Sequence, residues 1–124
     1  SVIGRSLGSG IAVHLSAIRK IDKTILITPY DSILKVASEI YWMFPLSILL
    51  ADKFESWRKA PQINNKSLLL IAEYDQLVPP KHGKNLFSYF AEDTAQMKIV
   101  QGASHNNIEQ FAPYRQALIE FFQQ

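Results

Sequence analysis

The chain has 124 residues, of which 48% are hydrophobic and 19% charged, and it contains no cysteine. This length and composition fit one globular domain and exclude collagen-like, disordered and disulfide-stapled classes. Thirteen basic and eleven acidic residues give a net charge of +2, and the basic residues are scattered, so no nucleic-acid partner is predicted. The missing cysteines exclude a cysteine nucleophile and cysteine-ligated metals but leave the compartment open, with the cytoplasm slightly favoured.

The first twenty residues predict a strand end, a tight turn and a helix. Val2 and Ile3 run into a segment that holds three glycines within seven residues. Apolar residues at i, i+4 and i+7 then predict one face of a helix over residues 9–20, and these are Ile11, Leu15 and Ile18. Because an apolar stub opens the chain, we expect the fold to include sequence upstream of residue 1.

Three further strands and two helices are predicted downstream. The strands are short apolar runs, the first of them β-branched, and they cover residues 24–28, 67–72 and 97–100. Helical patterns occupy residues 80–91 and 107–123. Strands that alternate with helices form βαβ units, which require a mostly parallel sheet. The predicted fold class is therefore α/β, with about four strands and helices on both faces.

The stretch 31–65 is too long for a simple crossover and is rich in large apolar residues. It predicts a short helical cap inserted into a single domain that covers residues 1–124. Within it, Tyr41, Trp42 and Phe44 are expected to line an apolar substrate pocket. The apolar run 40–51 is only 12 residues long and contains Pro45, whereas a membrane span needs about 20 residues. No membrane segment is predicted.

The turn near the start fits the pattern G-x-S-x-G, in the segment Gly4-Arg5-Ser6-Leu7-Gly8. Between a strand and a helix, this motif holds its serine on a strained turn, and the two glycines let neighbouring chain approach closely. The backbone N–H of Leu7, at the helix N-terminus, is expected to donate to a developing oxyanion. The glycine spacing fits neither a Walker A loop nor a dinucleotide fingerprint. Ser6 is therefore the predicted nucleophile.

A base and an orienting acid follow in the order that this motif requires. Asp75 comes after the strand at 67–72, and His105 after the strand at 97–100. The carboxyl ends of parallel strands share one sheet edge, so both side chains are expected near Ser6. Asp31 is the rival acid. Two other histidines are expected not to act as the base: His14, as a packed or surface residue, and His82, as a solvated residue at a helix start.

These segments together resemble the α/β-hydrolase superfamily and, within it, the Bem46-like serine hydrolases. The resemblance covers nearly the whole chain and is carried by residues 4–15, 28–32, 50–56, 73–79, 82–84 and 102–106. It implies a nucleophile at Ser6, an acid at Asp75 and a base at His105, acting on esters, thioesters or amides with no metal and no cofactor. It also implies that the chain is the carboxyl-terminal portion of the fold, so that the first strand is an exposed edge through which the chain can associate.

The favoured function is hydrolysis of carboxylic esters or thioesters of a small-molecule acyl substrate, through a Ser-His-Asp triad and an acyl-enzyme. Two alternatives stay open. One is a catalytically inactive hydrolase fragment or interaction module, since the segments before the serine motif are missing. The other is a serine peptidase similar to the prolyl peptidases, which share this carboxyl-terminal half.

Overall fold

The computed structural model describes residues 1–32 and 55–124, and four strands alternate with helices along them. The strands are β1 (Val2–Arg5), β2 (Lys23–Ile27), β3 (Lys66–Ala72) and β4 (Ala95–Val100). The helices are α1 (Leu7–Ile18), α2 (Ser56–Lys59), α3 (Pro80–Ser88) and α4 (Ala112–Phe122), with 3-10 turns at Ala60–Gln62 and Ile108–Gln110. The predicted helix at 107–123 is thus divided, because a separate 3-10 turn precedes α4, which begins with Pro113 in its first turn.

The four strands form one sheet in the order β1-β2-β3-β4, and every neighbouring pair is parallel. The predicted α/β class is therefore confirmed. Each strand pairs with the one before it in the chain, so all four carboxyl ends lie along the same edge of the sheet. Within the described residues, β1 and β4 are the outer strands. The carboxyl ends of β1 and β4 therefore lie at the two extremes of that edge, with β2 and β3 between them.

Helices cover both faces of the sheet and enclose two apolar layers. On one face, α4 packs Phe121 against residues that include Ile25, Leu70 and Val100. On the other face, α1 and α3 cover a layer that includes Val13, Leu26 and Leu86. Alternate residues of β2 and β3 belong to the two layers, as expected for strands buried on both sides.

Helix α1 buries a different face from the one that the apolar spacing suggests. Its buried residues are small ones, Ser9, Gly10, Ala12, Val13 and Ser16. By contrast, Ile11 and Ile18 are 54% and 58% exposed. The physical reason is the close approach of α1 to β1, where a Cβ at Gly4 would lie 2.6 Å from the Cβ of Ala12. Only small side chains fit at that contact, so the isoleucines face outward.

The predicted pocket residues Tyr41, Trp42 and Phe44 lie outside the described residues, as does most of the predicted insertion. Its described end forms α2 and a 3-10 turn, after which Ile63 joins the core layer beneath α1. The ring of Trp57 packs against Tyr89, with 5.4 Å between the ring centroids. Among the helices of residues 1–32 and 55–124, none is both long and apolar enough to cross a membrane.

Candidate active site

Ser6 is the single residue between the end of β1 and the start of α1. Its backbone has φ 52° and ψ −119°, a region that non-glycine residues rarely adopt. Its N–H donates to the carbonyl oxygen of Ile27 over 2.9 Å, which extends the pairing of β1 with β2. Such strain persists only where surrounding structure enforces it, and it concentrates at functional sites. This geometry is the one expected of the serine in a G-x-S-x-G turn.

The two glycines of the motif have different surroundings. A Cβ added at Gly4 would lie 2.5 Å from the carbonyl oxygen of Gly8 and 2.8 Å from Cα of Ser9. A Cβ added at Gly8 would meet no atom of the described structure within 4 Å. The predicted close approach therefore holds for Gly4 and is wrong for Gly8 within the described residues.

Asp75 and His105 are brought together at the carboxyl edge of the sheet. Oδ2 of Asp75 lies 2.8 Å from Nδ1 of His105, and the side chains are 1% and 11% exposed. The other carboxylate oxygen, Oδ1, accepts hydrogen bonds from the N–H groups of Leu77 and Val78. Both oxygens are thus engaged, so the carboxylate is fixed in orientation. When Nδ1–H donates to Asp75, Nε2 of the imidazole is the nitrogen left to accept a proton.

The loop that carries His105 is held at several points. Near β3, the side chain of Glu73 accepts a hydrogen bond from the N–H of Gly102, which has φ 80°. Within the loop, Oδ1 of Asn107 accepts from the N–H of Ser104. On the side of β1, Nη2 of Arg5 donates to the carbonyl oxygen of His105 over 2.9 Å. No local pattern in the sequence indicates a role for Arg5, because its partners lie about 100 residues away along the chain.

Ser6 and Leu7 stand on the same edge, without a direct bond to the imidazole. Among the described residues, no hydrogen bond joins the Ser6 hydroxyl to His105. Leu7 is the first residue of α1, so its N–H has no partner within the helix. The hydroxyl of Tyr30, a buried residue, donates to the carbonyl oxygen of Leu7 over 3.1 Å and braces this first turn.

Asp31 belongs to a second, separate pair. Its Oδ1 lies 3.0 Å from Nδ1 of His82, and its Oδ2 accepts from Asn85. The prediction that His82 is solvated is wrong: it is only 4% exposed, because the first turn of α3 packs onto the loop after β2. Burial raises the pKa of Asp31, but hydrogen bonds from His82, Asn85 and the backbone of Ser32 outweigh it and lower the pKa to about 2. Asp31 is therefore engaged away from His105.

His14 is exposed on α1 and does not join the site. A cleft of about 350 Å³ borders His105, and it is lined by the loops after β3 and β4, with Tyr74, Gln76, Leu77, Ser104 and Asn106. A larger cavity of about 440 Å³ opens at the far end of α1, next to Arg19, and no residue of the site lines it. In the described part of the chain, no cluster of three acidic or histidine side chains is arranged to hold a metal ion.

Comparison with known proteins gives distant relatives and a clear fold. No protein-family model matches the chain. The uncharacterized proteins MT2364 and Rv2307c, from two strains of Mycobacterium tuberculosis, are each 29% identical over 106 residues. The match covers 86% of this chain but 37% of each relative, so the chain spans little more than a third of their length.

Several solved structures share the fold at low identity. The α/β hydrolase MGS-M2 from a Medee basin deep-sea metagenome superposes with a TM-score of 0.72 at 17% identity, over 98% of this chain and 64% of that one. The enol-lactonase of Burkholderia xenovorans gives 0.72 at 19%, over 98% and 65%. The acetyl xylan esterase of Paenibacillus sp. R4 gives 0.75 at 14%, over 97% and 43%. The chain therefore has the fold of a part of these enzymes.

Proposed function

We propose that the chain acts as a serine hydrolase that cleaves carboxylic esters or thioesters through an acyl-enzyme. The observation that carries the proposal is the hydrogen bond between His105 and the buried carboxylate of Asp75, at the edge where Ser6 occupies a strained turn. In this assignment Ser6 is the nucleophile, His105 the base and Asp75 the group that orients the base. Leu7 supplies one oxyanion donor through its N–H.

The reaction proceeds in two halves. In the first, Nε2 of His105 accepts the hydroxyl proton of Ser6 while Oγ attacks the carbonyl carbon of the substrate. The tetrahedral intermediate collapses as the imidazolium returns that proton to the leaving alcohol or thiol, and an acyl-enzyme remains. In the second half, His105 takes a proton from water as the water oxygen attacks the acyl carbon. The second tetrahedral intermediate collapses as the imidazolium returns that proton to Oγ of Ser6, which breaks the bond to the acyl carbon and releases the carboxylic acid. Asp75 stays ionised and stabilises the imidazolium throughout.

The names of the solved structures that share this fold favour an ester over a peptide as the substrate. Three of the solved structures with this fold are named an esterase, an enol-lactonase and an acetyl xylan esterase. The cleft beside His105 gives room next to the base for part of such a substrate. The apolar pocket at Tyr41, Trp42 and Phe44, the Bem46-like subfamily and the thioester option stay predictions.

Association through the exposed sheet edge also stays a prediction. Within the described residues β1 is an outer strand, and its Ile3 is 56% exposed. Such an unpaired apolar edge favours pairing with a further strand. Sedimentation of the purified protein over a range of concentrations tests this, and a monomer throughout would contradict it.

The deciding experiment is intact-mass analysis after treatment with a fluorophosphonate probe. We expect one adduct on the protein, lost in Ser6→Ala and retained in Ser88→Ala, a matched change at an exposed serine of α3. A folded protein that forms no adduct would contradict the proposal and favour the interaction-module alternative. Hydrolysis of an aminoacyl-anilide faster than of a matched ester would favour the peptidase alternative.

A further inference from the structure

Arg5 connects two parts of the sheet that are far apart. It is the last residue of β1, at one side of the sheet, whereas His105 follows β4 at the other side. Two strands lie between them, so at the usual strand spacing β1 and β4 are about 14 Å apart. The loop that carries His105 must therefore cross the carboxyl edge of the sheet before its imidazole can face Ser6.

Where it leaves β4, the loop that carries His105 is anchored to the residues that follow β3. Glu73 accepts from the N–H of Gly102, the N–H of Tyr74 donates to Ala103, and Asp75 holds the imidazole of His105. These contacts fix where the loop begins and which way the ring faces. They do not set its distance from the turn that carries Ser6, because none of them involves residues 4–8.

Next to the turn that carries Ser6, Arg5 makes the contacts with this loop. Its Nη2 donates to the backbone carbonyl oxygen of His105 over 2.9 Å, and its Nη1 lies 3.2 Å from Oε2 of Glu109. Among the described residues, no other hydrogen bond or ion pair joins residues 4–8 to residues 101–110. A guanidinium can make both contacts at once because its donors form a rigid fork.

We propose that Arg5 is a positioning residue that holds the backbone of His105 against the serine turn, so that Nε2 faces the hydroxyl of Ser6. This inference rests on the proposed function and assigns Arg5 to the machinery of the same site. The contact with the carbonyl oxygen carries the role, because it binds the very residue whose ring must be placed. The ion pair with Glu109 adds little, since both side chains are about two-fifths exposed.

The test compares the second-order rate of fluorophosphonate labelling in four variants. Arg5→Met removes both contacts, and a displacement of the base by about 1 Å is expected to slow labelling about 100-fold. Arg5→Lys keeps one charged donor and should recover part of the rate. Glu109→Gln should stay within about threefold of the wild type, because an exposed ion pair contributes little. Arg19→Met is the matched control at an exposed arginine outside the site.

A second readout separates positioning from a general loss of stability. In Arg5→Met, amide hydrogen exchange should become faster in residues 101–107 and stay unchanged in β3. The midpoint of the pH profile of the labelling rate should not move, because Asp75 still holds the imidazole. Only the maximal rate constant of that profile should fall. Exchange that accelerates equally in β3, or a shifted midpoint, would overturn the proposal in favour of a stabilising or an electrostatic role. A labelling rate within twofold of the wild type would overturn it as well.

The two proposals can fail separately. If the wild-type protein is folded and forms no adduct at Ser6, the hydrolase proposal fails, and the exchange comparison alone decides whether Arg5 holds the loop. If the wild type is labelled and Arg5→Met matches it, only the role of Arg5 fails.

Discussion

Alanine substitutions at Gly4 and Gly8 should have opposite effects, although both glycines belong to one short motif. At Gly4, the new methyl group would lie 2.5 Å from the carbonyl oxygen of Gly8 and 2.8 Å from Cα of Ser9. Both contacts are with backbone, which cannot rotate away as a side chain can. Strand β1 and helix α1 would therefore have to separate. At Gly8, the methyl group meets no described atom within 4 Å.

The magnitudes follow from these distances. Overpacking in a tight contact costs about 1 to 3 kcal/mol, and the absence of any flexible neighbour puts Gly4→Ala at about 3 kcal/mol of lost unfolding free energy. Gly8 lies in the first turn of α1, where alanine is the better helix former, so Gly8→Ala should gain up to about 1 kcal/mol. The two variants should thus differ by about 4 kcal/mol.

Urea denaturation followed by far-ultraviolet circular dichroism measures both values, with a thermal melt as a second assay. For a chain of this length, we expect Gly4→Ala to melt about 10 °C below the wild type and Gly8→Ala at or slightly above it. Equal destabilisation by the two substitutions would refute the reasoning, because it would mean that Gly8 also meets packed neighbours. An unaffected Gly4→Ala would mean that α1 does not press on β1.

Three further predictions concern single side chains. Asp75→Asn should slow fluorophosphonate labelling about 10⁴-fold, because an amide favours the wrong imidazole tautomer, and a loss below tenfold would contradict the role of Asp75. The lowered pKa of Asp31 means that its contribution of about 2 kcal/mol is present above about pH 4 and is lost as the pH falls through about 2. Urea titrations at pH 5 and pH 2.5 should show this loss in the wild type and a smaller one in Asp31→Asn. Tyr30→Phe removes the hydrogen bond to Leu7 and should lower the unfolding free energy by about 1 kcal/mol, and an unchanged value in urea would show that this bond does not brace the turn.

The strands were predictable because their signal is local. The runs around Ile25 and Leu69 are apolar and bounded by polar or turn-forming residues, and a buried parallel strand needs nothing more. In β4, half-buried residues such as Met97 and Ile99 alternate with the exposed Gln96 and Lys98. Their order in the sheet equals their order in the chain, which is the simplest arrangement that right-handed crossovers permit. The pairing of Asp75 with His105 followed from the same geometry, since the two residues lie in the loops that follow neighbouring strands.

What sequence could not supply were contacts between distant segments. The regular spacing of Ile11 and Ile18 suggests a core face, yet the helix turns its small residues inward because β1 lies so close. The burial of His82 depends on Asp31, which is 51 residues away, and neither residue carries a local sign of its partner. The contacts of Arg5 also could not be predicted, because a basic residue at the end of a strand is usually solvated.

The sequential order of the strands also has a consequence for biosynthesis. As the chain leaves the ribosome, each new strand finds its neighbour already synthesised, so the sheet can grow one strand at a time. The bond of Arg5 to His105, and those of Lys23 to the carbonyl oxygens of Phe121 and Phe122, form only after these later residues have been synthesised. In a nascent chain, the turn that carries Ser6 is therefore synthesised long before His105.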